Sequence, residues 1–307
     1  MRIAFQGEPG AYSEAAALRF AGDADTTPCH SFEEVFDAVQ TGRVTLGILP
    51  MENSIGGSIH RNYDLLVEHE LPIVGEIELP VEHCLLARPG VTIDAVRVVY
   101  SHPQALAQCE RYLGRMASVE IIAVYDTAGG AKMVAESSRG DAAAVASRRA
   151  AEVFGLAILE QAIQDYASNI TRFVLIGRTP PPVEEATKTS LVFSLRSTPG
   201  ALYKALSGFA MRDINLTKLE SRPIRGRPWE YLFYVDVDAP RDRLDCGRAI
   251  THLSEFSHWV RLLGSYRAAT RPVGAVDDGP GGPGAGAVSS EGAPAPDRAS
   301  STGSGPS

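Results

Sequence analysis

A hydroxyl, a guanidinium and an aromatic ring stand next to one another at Thr171, Arg172 and Phe173, shortly after Asn169. A hydroxyl can polarise or relay a proton, and a guanidinium can bind an anion. The apolar run that begins at Phe173 predicts a buried strand, and polar groups at the mouth of such a strand lie where a rigid scaffold meets a loop. Taken alone, these residues fit a strand edge with a solvated arginine better than a catalytic site.

Side chains with hydroxyl groups also stand where three predicted helices begin. Tyr12 and Ser13 fall in the first turn of a helix over 11–20, and Ser101 and Thr127 lie at later helix starts. Backbone N–H groups in a first helical turn have no partner within the helix, and the helix dipole favours an anion there. For the helix over 11–20, a plain strand-to-helix turn with no ligand explains the pattern about as well.

A third polar segment, Glu52, Asn53 and Ser54, follows a predicted strand over 44–49 and precedes two glycines. Ligands in open α/β sheets bind outside the carboxyl ends of the strands, so this loop is a candidate binding segment. A polar loop before the next helix is the simpler alternative. His83 lies among apolar residues, and we predict a hydrogen-bonded core histidine rather than a catalyst.

Composition and charge exclude several classes of protein. The formal net charge of −8 and the lack of a basic cluster argue against a nucleic-acid binder. No apolar run is long enough to span a membrane, and the chain opens on a short strand-like run rather than a signal segment, which predicts a cytoplasmic location. The four cysteines are far apart and the seven histidines show no ligand spacing, so neither a metal nor a cofactor is expected.

The chain divides by pattern into four regions. In 1–179, strands alternate with helices, which predicts an α/β catalytic region with parallel sheets, and the extended stretch 71–87 suggests a crossover between two lobes. A proline-rich linker covers 180–188. Residues 189–267 follow a βαββαβ order, typical of a ferredoxin-like module. Residues 268–307 are rich in Gly, Pro, Ala and Ser and should be disordered.

Between the second and third strands of the predicted module lie Glu220, Ser221, Arg222 and Pro223. A carboxylate can bind an ammonium group, while a guanidinium and a hydroxyl can bind a carboxylate, so this segment can hold a zwitterion. In isolation, a charged turn is the better explanation of the same residues.

Taken together, these segments resemble prephenate dehydratase with a C-terminal ACT regulatory domain, over roughly 1–266. The order and spacing of the matching stretches carry the resemblance, and these are 4–7, 10–13, 50–54, 100–104, 169–173 and 220–223. The family implies a catalytic region of two α/β lobes, similar to periplasmic-binding-protein lobes, with the active site between them. Thr171 falls on its essential threonine, and 220–223 on its phenylalanine-binding motif. Gly200, Ala201 and Leu202 match its other regulatory motif, from which Tyr203 departs.

The resemblance implies a lyase that converts prephenate to phenylpyruvate, with loss of water and CO2, in phenylalanine biosynthesis. L-Phenylalanine is the expected allosteric effector, and a homodimer or homotetramer through the ACT and catalytic domains is expected. Thr171 and Arg172 are the predicted catalytic residues. The predicted substrate-binding residues are Tyr12, Ser13, Asn53, Ser54, Ser101, Thr127 and Phe173, of which Phe173 is mainly core. The alternatives are an arogenate dehydratase and a non-catalytic, amino-acid-sensing binding protein.

Overall fold

The computed structural model describes residues 1–116, 118–224 and 226–270. The predicted disordered tail therefore falls, from residue 271 onward, outside the described residues. Within the described part of the chain, no helix combines the length and apolar character needed to cross a membrane.

The first lobe is built on a sheet in the order β2-β1-β3-β11-β5, with the short β4 added beside β3. Strands β1, β2 and β3 are parallel, whereas β11 runs antiparallel to β3 and β5. The elements of this lobe are β1 (Arg2–Gln6), α1 (Tyr12–Phe20), β2 (Asp25–Cys29), α2 (Phe32–Gln40), β3 (Leu46–Asn53), β4 (Gly57–Ser58), α3 (His60–Glu68), β5 (Ile73–Pro80) and, from later in the chain, β11 (Ile170–Gly177).

The second lobe has a sheet in the order β10-β6-β9-β7-β8. Its elements are β6 (Cys84–Ala87), a 3₁₀ turn (Ile93–Ala95), β7 (Val98–Ser101), α4 (Pro103–Gln108), α5 (Glu110–Leu113), β8 (Glu120–Ala123), α6 (Thr127–Glu136), β9 (Ala142–Ala146), α7 (Arg148–Phe154) and β10 (Ala157–Glu160). The chain enters through β6 and leaves through β10, and these two strands run antiparallel to their neighbours. The predicted parallel strands are present in both sheets, each of which also contains antiparallel strands. The predicted crossover between two lobes is confirmed.

The third unit has the predicted βαββαβ order. It consists of β12 (Lys188–Leu195), α8 (Ala201–Ala210), β13 (Leu216–Pro223), β14 (Tyr231–Val237), α9 (Leu244–Phe256) and β15 (Ser257–Tyr266), and a 3₁₀ turn (Val183–Glu185) precedes it. The strands form an antiparallel sheet in the order β13-β14-β12-β15. One core of this unit involves α8 and α9, while the side chains Val192, Tyr234, Leu263 and Tyr266 join a core shared with the first lobe.

Strand β11 connects the two lobes and the third unit, because successive side chains of a strand point to opposite faces. Phe173 and Leu175 enter a core built from both lobes. Val174 and Ile176 enter the core shared with the third unit. Each side chain of β11 therefore faces either the space between the lobes or the third unit.

Candidate active site

A cavity of about 540 Å³ lies between the two lobes. This volume is in the range of small-molecule sites. Six of the predicted substrate or catalytic residues line it, namely Tyr12, Ser13, Asn53, Thr127, Thr171 and Phe173. The structure thus brings together side chains from strand ends and helix starts that are up to about 160 positions apart in the sequence.

Thr171 and Asn53 stand opposite each other on the neighbouring strands β11 and β3. The Nδ2 of Asn53 donates a hydrogen bond to Oγ1 of Thr171 over 3.0 Å. Its Oδ1 accepts hydrogen bonds from the backbone N–H groups of Ile55 and Gly56, at 3.1 and 2.7 Å. A backbone N–H can only donate, so the orientation of the Asn53 amide is fixed. The Thr171 oxygen is therefore an acceptor towards Asn53, and this hydrogen bond does not use the proton of the Thr171 hydroxyl.

An irregularity in strand pairing turns Asn53 towards the cavity. Arg172 pairs with Glu52 and Phe173 with Pro50, which leaves Met51 as an extra residue in β3. A bulge of this kind re-aims the side chains that follow it. The sequence prediction placed 52–54 in a loop, whereas β3 extends to Asn53. Asn53 is consequently held by a strand, which is a more rigid support than a loop.

Two residues without a predicted role, Gln108 and Asn169, extend the network behind Asn53. Asn53 donates to Oδ1 of Asn169 at 2.7 Å, and Asn169 donates to Oε1 of Gln108 at 2.9 Å. The Nε2 of Gln108 returns a hydrogen bond to Oδ1 of Asn53 at 3.2 Å. A sequence signal existed for Gln108, because it lies one helical turn after Gln104 on the helix that Pro103 opens, and both glutamines line the cavity.

His83 is buried and hydrogen-bonded, as predicted, but it also lines the cavity. Its Nε2 lies 2.8 Å from Oε1 of Gln108, an atom that can only accept, so Nε2 carries a proton. Burial lowers the pKa of His83, although the hydrogen bond with Gln108 opposes that shift. The neutral ring therefore leaves Nδ1 as an acceptor, and the Tyr12 hydroxyl lies 2.8 Å from it. Burial raises the pKa of Tyr12, so this hydroxyl keeps its proton.

The cavity lining offers an anion helix starts rather than long cationic side chains, and it also includes the carboxylates of Glu33 and Asp126. None of the described residues that line the cavity is a lysine or an arginine. Helix α1 begins at Tyr12 and Ser13, and its N-cap, Ala11, makes no side-chain cap. Helix α6 begins at Thr127, but the carboxylate of its N-cap, Asp126, accepts hydrogen bonds from the N–H groups of Ala128 and Gly129. Both Ser13 and Thr127 line the cavity. An uncapped helix start offers backbone N–H donors to an anion.

Arg172 does not lie where the sequence suggested. Its side chain projects from the face of β11 that is opposite to the cavity. There it makes ion pairs with Glu76 and Asp236, each over 2.7 Å. Asp236 belongs to β14 of the third unit. The expectation that Arg172 binds a substrate anion is therefore wrong, because neighbouring residues of a strand face opposite sides and Thr171 takes the cavity side.

Two predicted substrate-binding serines also have structural roles. Ser101 is fully buried and donates to the carbonyl oxygen of Val145 over 2.6 Å, which ties β7 to β9. Ser54 donates to the carbonyl oxygen of Ser168 and accepts from the N–H of Ile170, at 2.8 and 2.9 Å. Neither serine lines the cavity, so these two predictions are not supported. Both side chains brace the backbone near the site.

The predicted effector residues lie in the third unit. Gly200 caps α8 with a left-handed φ of +73°, and Ala201 and Leu202 form the first turn of that helix. Ser221 and Pro223 belong to the edge strand β13. Their neighbours on this strand contact the first lobe: Glu220 pairs with His60 at 2.9 Å, and Arg222 pairs with Asp64 at 2.9 Å. Glu220 also pairs with Lys218 of the same strand at 3.0 Å. The binding of an effector by these residues stays a prediction.

Comparison with known proteins agrees with a two-lobed α/β enzyme that carries a regulatory unit. Residues 3–181 match the family model described as prephenate dehydratase, and residues 189–245 match the ACT domain. The chain belongs to the prephenate dehydratase family. The third unit is its ACT regulatory domain, and the chain is a prephenate or arogenate dehydratase, a lyase. Membership of a family of dehydratases argues against the alternative of a non-catalytic binding protein.

Two curated plant relatives illustrate the family. The chain is 50% identical over 281 residues to "Arogenate dehydratase/prephenate dehydratase 2, chloroplastic" of Arabidopsis thaliana, covering 88% of this chain and 74% of the relative. It is 50% identical over 283 residues to "Arogenate dehydratase 1" of Petunia hybrida, covering 87% and 66%. The name of the first relative places that protein in the chloroplast, which contradicts the predicted cytoplasmic location. The prediction considered only a secretory segment, so it could not separate the cytoplasm from an organelle.

Two solved structures resemble the whole described fold. The prephenate dehydratase of Arthrobacter aurescens in complex with L-Phe has a TM-score of 0.80 and 30% identity, over 87% of this chain and 90% of that one. A protein described as GqqA, a quorum-quenching acylase, has a TM-score of 0.81 and 40% identity, over 87% and 98%. These likenesses confirm the predicted fold of two periplasmic-binding-protein-like lobes with an ACT domain.

Proposed function

We propose that this chain converts prephenate to phenylpyruvate by decarboxylating dehydration in the cavity between its lobes. The observation that supports this most directly is the Thr171 hydroxyl, which accepts from Asn53 at 3.0 Å and lines the cavity. Prephenate has two carboxylates and a ring hydroxyl. The bond between the ring and one carboxylate breaks, CO2 leaves, and the electron pair completes the aromatic ring as hydroxide departs.

Thr171 acts in this proposal by hydrogen-bonding the departing oxygen. An alcohol is a poor proton source at neutral pH, so stabilisation of the developing negative charge is its main contribution. The amide links behind Thr171 carry N–H groups in fixed directions, so they orient the hydroxyl and do not resupply a proton. Aromatisation drives the reaction, which therefore needs no redox step.

The carboxylates of the substrate are assigned to the helix starts. The uncapped first turn of α1, at Tyr12 and Ser13, takes one carboxylate, and the Thr127 hydroxyl, which also lines the cavity, donates to it. Phe173 forms the floor of the cavity and belongs mainly to the core, where it is 1% exposed. Turnover on prephenate, followed by the ultraviolet absorbance of phenylpyruvate in base, tests the proposal. Absence of this product would reject it.

Arogenate is the alternative substrate, since it differs from prephenate in an amine for a keto group. An ammonium group favours a nearby carboxylate, and Glu33 and Asp126 line the cavity. Both are already engaged, because Glu33 pairs with Arg61 at 2.8 Å and Asp126 accepts from the N–H of Ala128 at 2.6 Å. Prephenate is therefore the first choice, and a comparison of kcat/KM on the two substrates decides.

L-Phenylalanine is the proposed effector at the ACT domain, through Gly200, Ala201 and Leu202 together with Glu220, Ser221, Arg222 and Pro223. The match of 189–245 to the ACT domain and the Phe-bound relative support this assignment. Arg222→Ala should remove the response to phenylalanine and leave basal turnover in place. Unchanged inhibition in that variant would place the effector site elsewhere.

Self-association is proposed through the ACT and catalytic domains, as a homodimer or homotetramer. Strand β13 is an edge strand, and Leu219 on it is 46% exposed. An edge strand presents unpaired backbone groups that a second copy can pair. Light scattering coupled to size-exclusion chromatography measures the mass directly, and a monomer at all concentrations would contradict the proposal.

A further inference from the structure

We propose that Arg172 and Glu52 are positioning residues through which the ACT domain sets the geometry of the Asn53–Thr171 hydrogen bond. The proposal rests on the proposed function of this cavity. It starts from strand register: Thr171 faces Asn53 across β11 and β3, and Arg172 faces Glu52 at the adjacent step. The two residues of the hydrogen bond and the two charged residues are thus neighbours in sequence on both strands.

The side chain of Arg172 is linked to the ACT sheet through a cluster of buried ionic groups. Arg172, Glu76 and Asp236 are 14%, 1% and 9% exposed. Lys188 of β12 makes a second ion pair with Glu76 at 2.7 Å, so two cations balance two carboxylates. Ser190 donates to Asp236 at 2.5 Å. Burial raises the pKa of Glu76, but Arg172 and Lys188 outweigh it and the net shift is downward.

The side chain of Glu52 is linked by an ion pair to β13, the edge strand of the ACT sheet. Lys218 of β13 lies 3.0 Å from Glu52 and 3.0 Å from Glu220. Lys218 also donates to Oγ of Ser58 at 3.1 Å, and Ser58 donates to Glu220. Ser58 pairs with Glu52 in the sheet. Glu220 belongs to the predicted effector segment, so one side chain, Lys218, separates that segment from the residue next to Asn53.

These two sets of ion pairs restrict the movement of the backbone at the site. The backbone of Thr171 and of Asn53 cannot shift without moving Arg172 or Glu52, and each of these is held by a charge from the ACT domain. A displacement of about 1 Å at a reacting group can cost about a hundredfold in rate. The ACT domain therefore positions the catalytic hydroxyl. An effector that binds Glu220 alters the position of Glu52, next to Asn53, through Lys218.

Asp236→Asn tests the proposal, with Asp238→Asn as the matched control. Asp238 lies just beyond the same strand, is exposed, and accepts from Asn215 at 3.2 Å without reaching Arg172. We expect Asp236→Asn to lower kcat about tenfold with little change in KM, and Asp238→Asn to match the wild type. In a Thr171→Ala background the Asp236 effect should disappear, because it acts through Thr171.

Hydrogen exchange supplies a readout that does not depend on turnover. The segment 170–173 should exchange faster in Asp236→Asn than in Asp238→Asn. Equal exchange and equal kcat in the two variants would overturn the positioning role, and so would an effect of the same size in the Thr171→Ala background. Wild-type protein that fails to turn over prephenate and arogenate would reject the proposed function alone, since the exchange comparison still tests the tie.

Lys218→Met is the second variant, in case Asp236→Asn does not fold. It removes the charge next to Glu52 and leaves the Arg172 cluster intact. The expected result is a smaller loss of kcat, about threefold, with faster exchange in 50–54 and a weaker response to phenylalanine. Unchanged kcat, exchange and response in this variant would overturn the Glu52 part of the proposal.

Discussion

The two faces of the strand pair β3 and β11 use opposite kinds of polar interaction. On the cavity face, Asn53, Thr171, Asn169 and Gln108 form a neutral network whose donors and acceptors are fixed. On the ACT face, Arg172, Glu76, Lys188 and Asp236 form a buried ion cluster. A neutral network orients one hydroxyl without adding charge to a site that must bind a dianion. A buried ion cluster fixes two domains against each other, and it is costly to leave half-formed.

The largest loss of activity should follow the removal of the Thr171 hydroxyl from the cavity face. Thr171→Ala removes the donor to the departing oxygen, and we expect kcat to fall by roughly 10²–10⁴ while phenylalanine binding is unchanged. Steady-state kinetics and a binding titration measure the two. Thr171→Ser keeps the hydroxyl and should recover most of the rate. Near-normal turnover in the alanine variant would remove Thr171 from the mechanism.

A substitution in the ion cluster on the ACT face should mainly lower the free energy of unfolding. Arg172→Met leaves Glu76 and Asp236 as buried carboxylates with one fewer cation, and removal of one partner from a buried pair costs about 3–5 kcal/mol. Urea unfolding at pH 7.5 measures the loss. Arg139→Met is a surface control, because Arg139 pairs only with Asp141 in an exposed contact and its loss should be small. Equal losses in the two variants would contradict a structural role of the cluster.

A further test asks which ring nitrogen of His83 donates the hydrogen bond to Gln108. The amide nitrogen of glutamine can take the place of Nε2–H, whereas that of asparagine is too short to reach Gln108. We therefore expect His83→Gln to keep most of kcat and His83→Asn to lose about tenfold, which corresponds to about 1.4 kcal/mol. Kinetics on prephenate with both variants, and melting curves to check folding, give the comparison. A lower kcat in the glutamine variant than in the asparagine variant would contradict the assigned tautomer.

The smallest expected effect is a dependence of stability on pH. His83 has a lowered pKa when folded and about 6.5 when unfolded. The unfolded chain therefore binds more protons below pH 6.5, so this contribution is complete above that pH and is lost as the pH falls towards the folded pKa. The lowered pKa of Glu76 matters only at more acidic pH. Urea unfolding at pH 7.5 and 5.5 should show a smaller decrease for His83→Gln than for the wild type.

The location of the cavity could be anticipated from sequence for particular residues. Tyr12, Ser13 and Thr127 were placed at helix starts by the strand–loop–helix pattern, and that pattern depends on local propensities. Thr171 was placed at a strand mouth by the apolar run that follows it. All four line the cavity. Ser54 and Ser101 carried the same kind of signal and make backbone hydrogen bonds instead, because local pattern does not say which side of a strand or loop a hydroxyl faces.

The sequence by itself determined the order of the elements and the division into catalytic and ACT regions, and it singled out Thr171 as the predicted catalytic hydroxyl. Only the tertiary structure decided the direction of Arg172, the bulge at Met51 that turns Asn53 inward, and the joining of His83 to the site. The physical reason is that helix and strand periodicity is encoded locally. Register, bulges and ion-pair partners depend on segments that meet only in the folded chain.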